Sequence, residues 1–257
     1  MAWVKCAAYV SAAALGAALL VWTVRPTAQT GLDRFWGPVL DSAGPVLICM
    51  GTGLAPSQRD LAKPDSALTI VEQRRSDIVS WPDALTMSRL TGLMIQRHKL
   101  FQLQRDTNTS LAALRSDPAI FIGAFNNRWV MRLTGQVRFR FENDKSPNTM
   151  SIVDTQQPSR QDWKVVTTTP FSEFKEDYGI ITRILDPTTE RMLVVAGGLG
   201  SYGTMAAGEF LTTPKYIQML ADSAPAGWAT KNLQVVFKTR VIEGNSGPPQ
   251  ILDTYFW

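Results

Sequence analysis

From Cys6 to Val24 the chain carries no charged side chain, and this uncharged run constrains its organisation more than any other feature. As a helix of about 19 residues at 1.5 Å rise it spans roughly 28 Å, close to the hydrocarbon thickness of a bilayer. Lys5 precedes the run and Arg25-Pro26 ends it. Trp3 and Trp22 stand near its two ends, as interfacial aromatics do. The expectation is an uncleaved transmembrane anchor over residues 1–25. A cleaved signal peptide is the competing reading, because a basic start and an alanine-rich stretch serve both. Its weak point is the cleavage site, where Pro26 would stand two residues before Ala28. A soluble core helix is a third reading. A short N-terminal tail usually stays in the cytoplasm, which puts the large domain on the extracytoplasmic side.

Residues 26–44 mix Pro, Gly and Thr around Phe35-Trp36 and read as a linker. Residues 45–257 read as a single α/β domain. Their composition is that of a folded protein: the whole chain is 45% hydrophobic and 19% charged. The net charge of +4 comes without a Lys/Arg stripe interleaved with aromatics, so nucleic acid is not an expected partner. An anionic lipid surface is compatible with it. The two cysteines, Cys6 and Cys49, form neither a disulfide framework nor a CxxC site. His98 is the sole histidine. No metal site and no cofactor are therefore expected, and any Ser-His-Asp reading hangs on that one residue.

The continuous apolar run Val46-Leu47-Ile48-Cys49-Met50 predicts a buried parallel strand, followed by Gly51-Thr52-Gly53. Residues 54–82 are polar. Asp83 after Pro82 is a candidate N-cap for a helix carrying Leu85, Met87, Leu90, Leu93 and Met94, ending near His98-Lys99. Residues 100–104 alternate as a strand, 110–115 form a short helix, and 118–125 form a second buried strand ending at Asn126-Asn127. This β-α-β-α-β order predicts a mixed, mostly parallel doubly wound sheet. Val137 to Glu142 alternates as a half-exposed strand, and residues 143–165 read as polar. Residues 177–185 and 191–196 flank Asp186-Pro187-Thr188-Thr189-Glu190, an antiparallel hairpin. Helices over 201–211 and 214–221 and strands over 233–242 and 251–256 complete the domain.

Gly198-Leu199-Gly200-Ser201-Tyr202-Gly203-Thr204 is a literal GxGxxG between a strand and a helix. Glycine backbone and a helix N-terminus suit an anion. The dinucleotide reading fails on context, because the strand before it is the return arm of a hairpin and too little chain follows for a second nucleotide-binding half. A tight turn with no ligand is the plainer reading. Gly51-Thr52 and Asn126-Asn127-Arg128 lie at the ends of two predicted parallel strands, where open sheets bind ligands. The asparagines equally serve as caps for a helix starting near Arg128. The candidate ligand-binding set is Gly51, Thr52, Asn126, Asn127, Arg128, Gly200, Ser201, Tyr202, Gly203 and Thr204, with Arg128 as the cation for a small anionic or polar ligand. Ser201 lacks the spacing of a nucleophile elbow and no histidine follows it, so no catalytic residue is assigned.

Three stretches, PAIFIGAFNNRWVMRLTGQVRFRF, DYGIITRILDPTTERMLVVAGGLGSYGTMAAGEFLT and NLQVVFKTRVIEGNSGPPQILDTYFW, resemble a group of acidobacterial membrane-anchored α/β domains. The resemblance covers nearly everything from residue 35 onward. It implies a domain that follows one membrane helix, in some members behind a cytoplasmic winged-helix regulator. Only a few residues precede the apolar run here, so a chain without that regulator is expected. No activity and no functional residue come with the resemblance. The expected function is a membrane-anchored, extracytoplasmic ligand-binding or sensory domain without catalysis. The alternatives are an enzyme of unknown class using the same strand-end crevice, or a protein-interaction module of an envelope assembly with residues 137–142 or the last strand as its contact edge.

Overall fold

A computed structural model describes residues 29–52, 78–143 and 148–257. The uncharged run 6–24 lies outside the described residues, as does most of the polar stretch before Asp83. Among the described residues no helix is long and apolar enough to cross a membrane.

The central strands are the two continuous apolar runs. β1 (Val46–Met50) pairs in parallel with β2 (Phe101–Arg105) on one side and with β3 (Ala119–Ile122) on the other. β3 pairs in parallel with β8 (Arg191–Gly198). From β8 outward the pairing turns antiparallel, through β7 (Glu176–Asp186) and β9 (Leu233–Ile242) to β11 (Gln250–Phe256), with the short β10 (Asn245–Ser246) at the far end of β9. The protein is therefore mixed α/β. Parallel pairing is confined to β2-β1-β3-β8, so the sheet is less parallel than the strand–helix alternation predicted. The difference arises in the second half, where β8 follows β7 as a hairpin and the helical connection from β8 then crosses to β9 on the far side of β7, so that β7 runs against both neighbours.

Alternate residues of the central strands feed two cores. Val46, Ile48, Met50, Ile120 and Ile122 face one layer, and Leu47, Cys49, Ala119 and Phe121 face the other. The first layer holds α1 (Gly31–Leu40), α2 (Trp81–Gln96), α5 (Ser201–Thr212) and α6 (Pro214–Ser223). The second holds α3 (Leu111–Ser116), α4 (Arg128–Leu133) and a separate three-stranded sheet of β4 (Phe139–Asn143), β5 (Thr149–Asp154) and β6 (Lys164–Val166). Alternation at 137–142 does place Phe139 and Phe141 inside, but in this small sheet and not in the main one. The Gln234 amide of β9 joins the two sheets. It accepts from the Phe139 N–H at 2.9 Å and donates to the Phe139 carbonyl at 2.7 Å, as a neighbouring strand would.

The stretch expected as a linker contains α1, whose Leu32, Phe35, Trp36 and Val39 are buried in the first core. Pro38 within that helix cannot donate to the carbonyl of Arg34 four residues back. Arg183 of β7 takes over the freed region. It is fully buried, and its guanidinium donates to the carbonyls of Phe35 at 2.7 Å, Trp228 at 2.9 Å and Lys231 at 2.7 Å, with a longer contact to Arg34 at 3.4 Å. The rings of Phe35 and Trp228 flank it at 5.1 and 5.6 Å. Burial pulls its pKa down to about 10, which leaves it charged near neutral pH.

Replacing Arg183 with alanine is expected to destabilise the protein by at least about 3 kcal/mol, since three buried carbonyls lose a charged donor and a cavity opens. Lysine should recover little of this, lacking the planar fork. Urea denaturation checks both variants, and a midpoint for Arg183→Lys equal to wild type would contradict the account.

Candidate functional site

The order β2-β1-β3 means that the chain leaves β1 toward one side of the sheet and returns to its other side. α2 covers one face and α3 the other. Such a reversal opens a crevice at the carboxyl ends of the strands. The loops after β3 and β8 and the start of α2 meet at this end, and they line a cavity of about 220 Å³.

The glycine loop forms one wall. Two of its backbone donors are already engaged, by the carboxylate of Asp177. That side chain is fully buried and accepts from the N–H groups of Gly200 at 3.0 Å, Gly203 at 2.8 Å and its neighbour Tyr178 at 2.8 Å. Burial pushes the Asp177 carboxyl up, against these N–H groups, which pull it down. The three glycines answer to the same packing. A Cβ at Gly200 would lie 2.7 Å from the Asp177 carboxylate, one at Gly203 2.3 Å from the Tyr178 carbonyl, and one at Gly198 2.2 Å from the Thr204 nitrogen. The anion at this helix N-terminus is the chain's own.

Asn126 and Asp83 form the opposite wall. Ser80 caps α2, its Oγ accepting from the Asp83 N–H at 3.4 Å. Asp83, on the first turn, is 2% exposed. The Asn126 amide donates to the Asp83 carboxylate at 2.7 Å and to the Thr52 carbonyl at 3.1 Å, while its oxygen accepts from the Ala124 N–H at 3.2 Å. Asn126 thus ties the loop after β3 to both ends of the β1–α2 connection. Burial raises the Asp83 carboxyl, with the bonds from Asn126 and Ser80 opposing. Ser201 and Thr204 supply hydroxyls to the cavity, and Phe125, Met150 and Leu199 supply its apolar part.

Of the ten residues expected to bind, Asn126, Gly200, Ser201 and Thr204 line the cavity. Gly51 and Thr52 are buried behind Asn126, and a Cβ at Gly51 would lie 2.7 Å from its amide. Asn127 is fully buried and structural. It caps α4 through bonds from the Trp129 and Val130 N–H groups, and its amide donates to the Cys49 and Ile122 carbonyls. Tyr202 turns toward Phe171 and Phe174 in a neighbouring groove. Gly203 serves Asp177. Arg128 does not reach the cavity at all. Its guanidinium donates to the carbonyls of Asp106 at 3.0 Å and Thr107 at 2.8 Å in the turn after β2, because that turn closes over the start of α4. The proposed anion partner is thereby removed.

Asp83, read from the sequence as a helix cap, is the cavity's only charged side chain among the described residues. The signal was Ser80-Trp81-Pro82-Asp83, a serine three residues before an acid at a helix start. Ser201 makes no side-chain hydrogen bond among the described residues. Cys49 is buried, and its thiol is pushed up to about 12, so no nucleophile is activated there. Among the described residues no cluster suits a metal ion. Comparisons with family models, with curated proteins and with solved structures found no match to this chain.

The raised Asp83 carboxyl makes a prediction about pH. Folded Asp83 holds its proton above the ordinary value of 3.8, so the folded state binds more protons than the unfolded one. Its contribution to stability therefore falls as pH rises from about 4 through the folded pKa, and is constant above that. Relative to Asp83→Asn, wild type should be most stable in acid and lose ground as pH rises. Urea midpoints of both proteins across pH measure this, and a pH-independent difference would contradict it.

Proposed function

We propose that the chain is a membrane-anchored, extracytoplasmic ligand-binding or sensory domain that performs no catalytic step. The observation that carries this reading is the crevice itself. Two loops distant in sequence meet there, and their polar groups face one small cavity. The β2-β1-β3-β8 half acts as a doubly wound unit that presents it. The ligand is small, and neutral polar or cationic. Among the described residues Asp83 is a carboxylate without a cationic partner, and Asp177 takes the Gly200 and Gly203 N–H groups that would hold an anion. An amine or a polyhydroxy compound meets these demands, with Ser201 and Thr204 as further partners. The uncharged run 6–24 motivates the anchor. The idle Ser201 hydroxyl favours binding over acyl transfer.

The test starts from cells expressing the tagged full-length chain. It should sediment with membranes and require detergent for release; full-length protein in the soluble fraction would contradict the anchor. Calorimetry on the purified protein with ethanolamine, glycerol, acetate and phosphate then examines the crevice. Ethanolamine or glycerol should bind, and Asp83→Asn should weaken the amine by about ten- to a hundredfold, the worth of one charge-assisted hydrogen bond. Saturable binding of acetate or phosphate, lost on altering Ser201, would contradict the reading. So would silence from both the amine and the polyol.

A further inference from the structure

At the other end of the sheet a second and larger cleft, about 750 Å³, opens between the β7–β8 turn, the end of α4 and the last residues of β11. It falls within the usual size of small-molecule sites, where the crevice at the strand carboxyl ends falls short. Several of its polar groups are unspent. The Arg132 guanidinium makes no hydrogen bond or ion pair among the described residues, and it is held only over the Trp129 ring at 5.3 Å. The side chains of Gln136 and Gln156 are likewise without hydrogen bonds there. Asn232 spends its oxygen on the Leu185 N–H at 2.8 Å and leaves its amide N–H groups unused. Arg138, by contrast, is committed in a two-pronged bond to Asp154 at 2.9 and 2.8 Å. Asp186 spends its Oδ2 on the Thr188 and Thr189 N–H groups. The cleft thus offers one uncommitted positive charge and several uncommitted amides.

It also offers an aromatic floor. Tyr255 and Trp257 stack at 5.0 Å with their planes 20° apart. Arg138 lies over the Tyr255 ring at 5.2 Å, so Trp257 has the ring left to receive a ligand. Paired backbone bonds to Asn232, at 3.1 and 3.2 Å, hold Trp257 in place. A ring with a flat C–H face stacks on indole, amides meet ring hydroxyls, and a planar guanidinium matches a carboxylate.

We propose that this cleft binds an acidic saccharide, with the carboxylate of a uronic acid on Arg132, its pyranose ring on Trp257, and its hydroxyls on Gln136, Gln156 and Asn232. A phosphate-rich ligand is disfavoured, since among the described residues a single free guanidinium lines the cavity. An aromatic acid would satisfy Arg132 and Trp257 but leave the amides unmet. This site is independent of the crevice beside Asp83.

The test titrates the detergent-purified full-length protein with galacturonate oligosaccharides, and separately with neutral galactose oligosaccharides, benzoate and adenosine monophosphate. Calorimetry and tryptophan fluorescence are the readouts. Galacturonate should bind saturably and quench fluorescence. Arg132→Gln should weaken it by about ten- to a hundredfold, as should removing the acid from the sugar. Arg132 is exposed, so this variant should keep the wild-type melting point. Trp257→Ala should abolish the quench, and Asp83→Asn should leave galacturonate binding unchanged. Absence of saturable binding, equal affinity for the neutral sugar, or no effect of Arg132→Gln would overturn the proposal. Tighter binding of benzoate or the nucleotide would overturn the saccharide assignment.

Discussion

The arrangement around the crevice depends on one carboxylate. Asp177, at the start of β7, sits where an external anion would sit at the head of α5, and its two oxygens take the N–H groups of Gly200 and Gly203. A buried charge without hydrogen bonds is expensive, and so are orphaned donors at a helix N-terminus. Placed together, each offsets part of the other's cost. The fit requires backbone to approach carboxylate and carbonyl closely on three sides, which is why glycine occupies 198, 200 and 203. The pattern that suggests phosphate binding in one setting serves here as an internal joint between β7 and α5, and it gives the crevice the opposite electrostatic preference.

A second joint works on the same face of the strand, six residues further along. Arg183 brings a cation into the first core with no carboxylate to meet it, and carbonyls from α1 and the 228–231 turn take its place. β7 thereby carries a buried anion near one end and a buried cation near the other. Each is solvated by backbone dipoles, the first by N–H groups and the second by C=O groups. The strand anchors α5 at one end and α1 at the other.

The parts of the fold that were legible in sequence are those where one period dominates. β1 and β3 announced themselves as unbroken apolar runs, and they are parallel neighbours. The β7–β8 hairpin was visible from its turn. Its register, Gly179 opposite Gly198, extended by two residues, puts Asp177 opposite Gly200, so the internal anion was within reach of an argument from pairing alone. α1 was hidden because Pro38, Gly31 and Gly37 lower helix propensity, and only burial of Phe35 and Trp36 offsets them. β5 and β6 were hidden because they are short and half-exposed among polar residues. Arg128 was misassigned for a different reason. A long side chain at a helix start reaches either flank, and its choice of the turn at 106–108 is made by tertiary contacts that no local pattern encodes.

The central claim, that Asp177 fills the glycine loop as its resident anion, is open to a chemical rescue measurement. Asp177→Ser empties the cradle while keeping a small polar side chain. The melting temperature of this variant and of wild type is followed as formate is added at constant ionic strength. The account predicts that the variant melts well below wild type and that formate restores part of the loss in a saturable way, while wild type does not respond. A variant as stable as wild type, or a formate-dependent stabilisation of wild type equal to that of the variant, would contradict it.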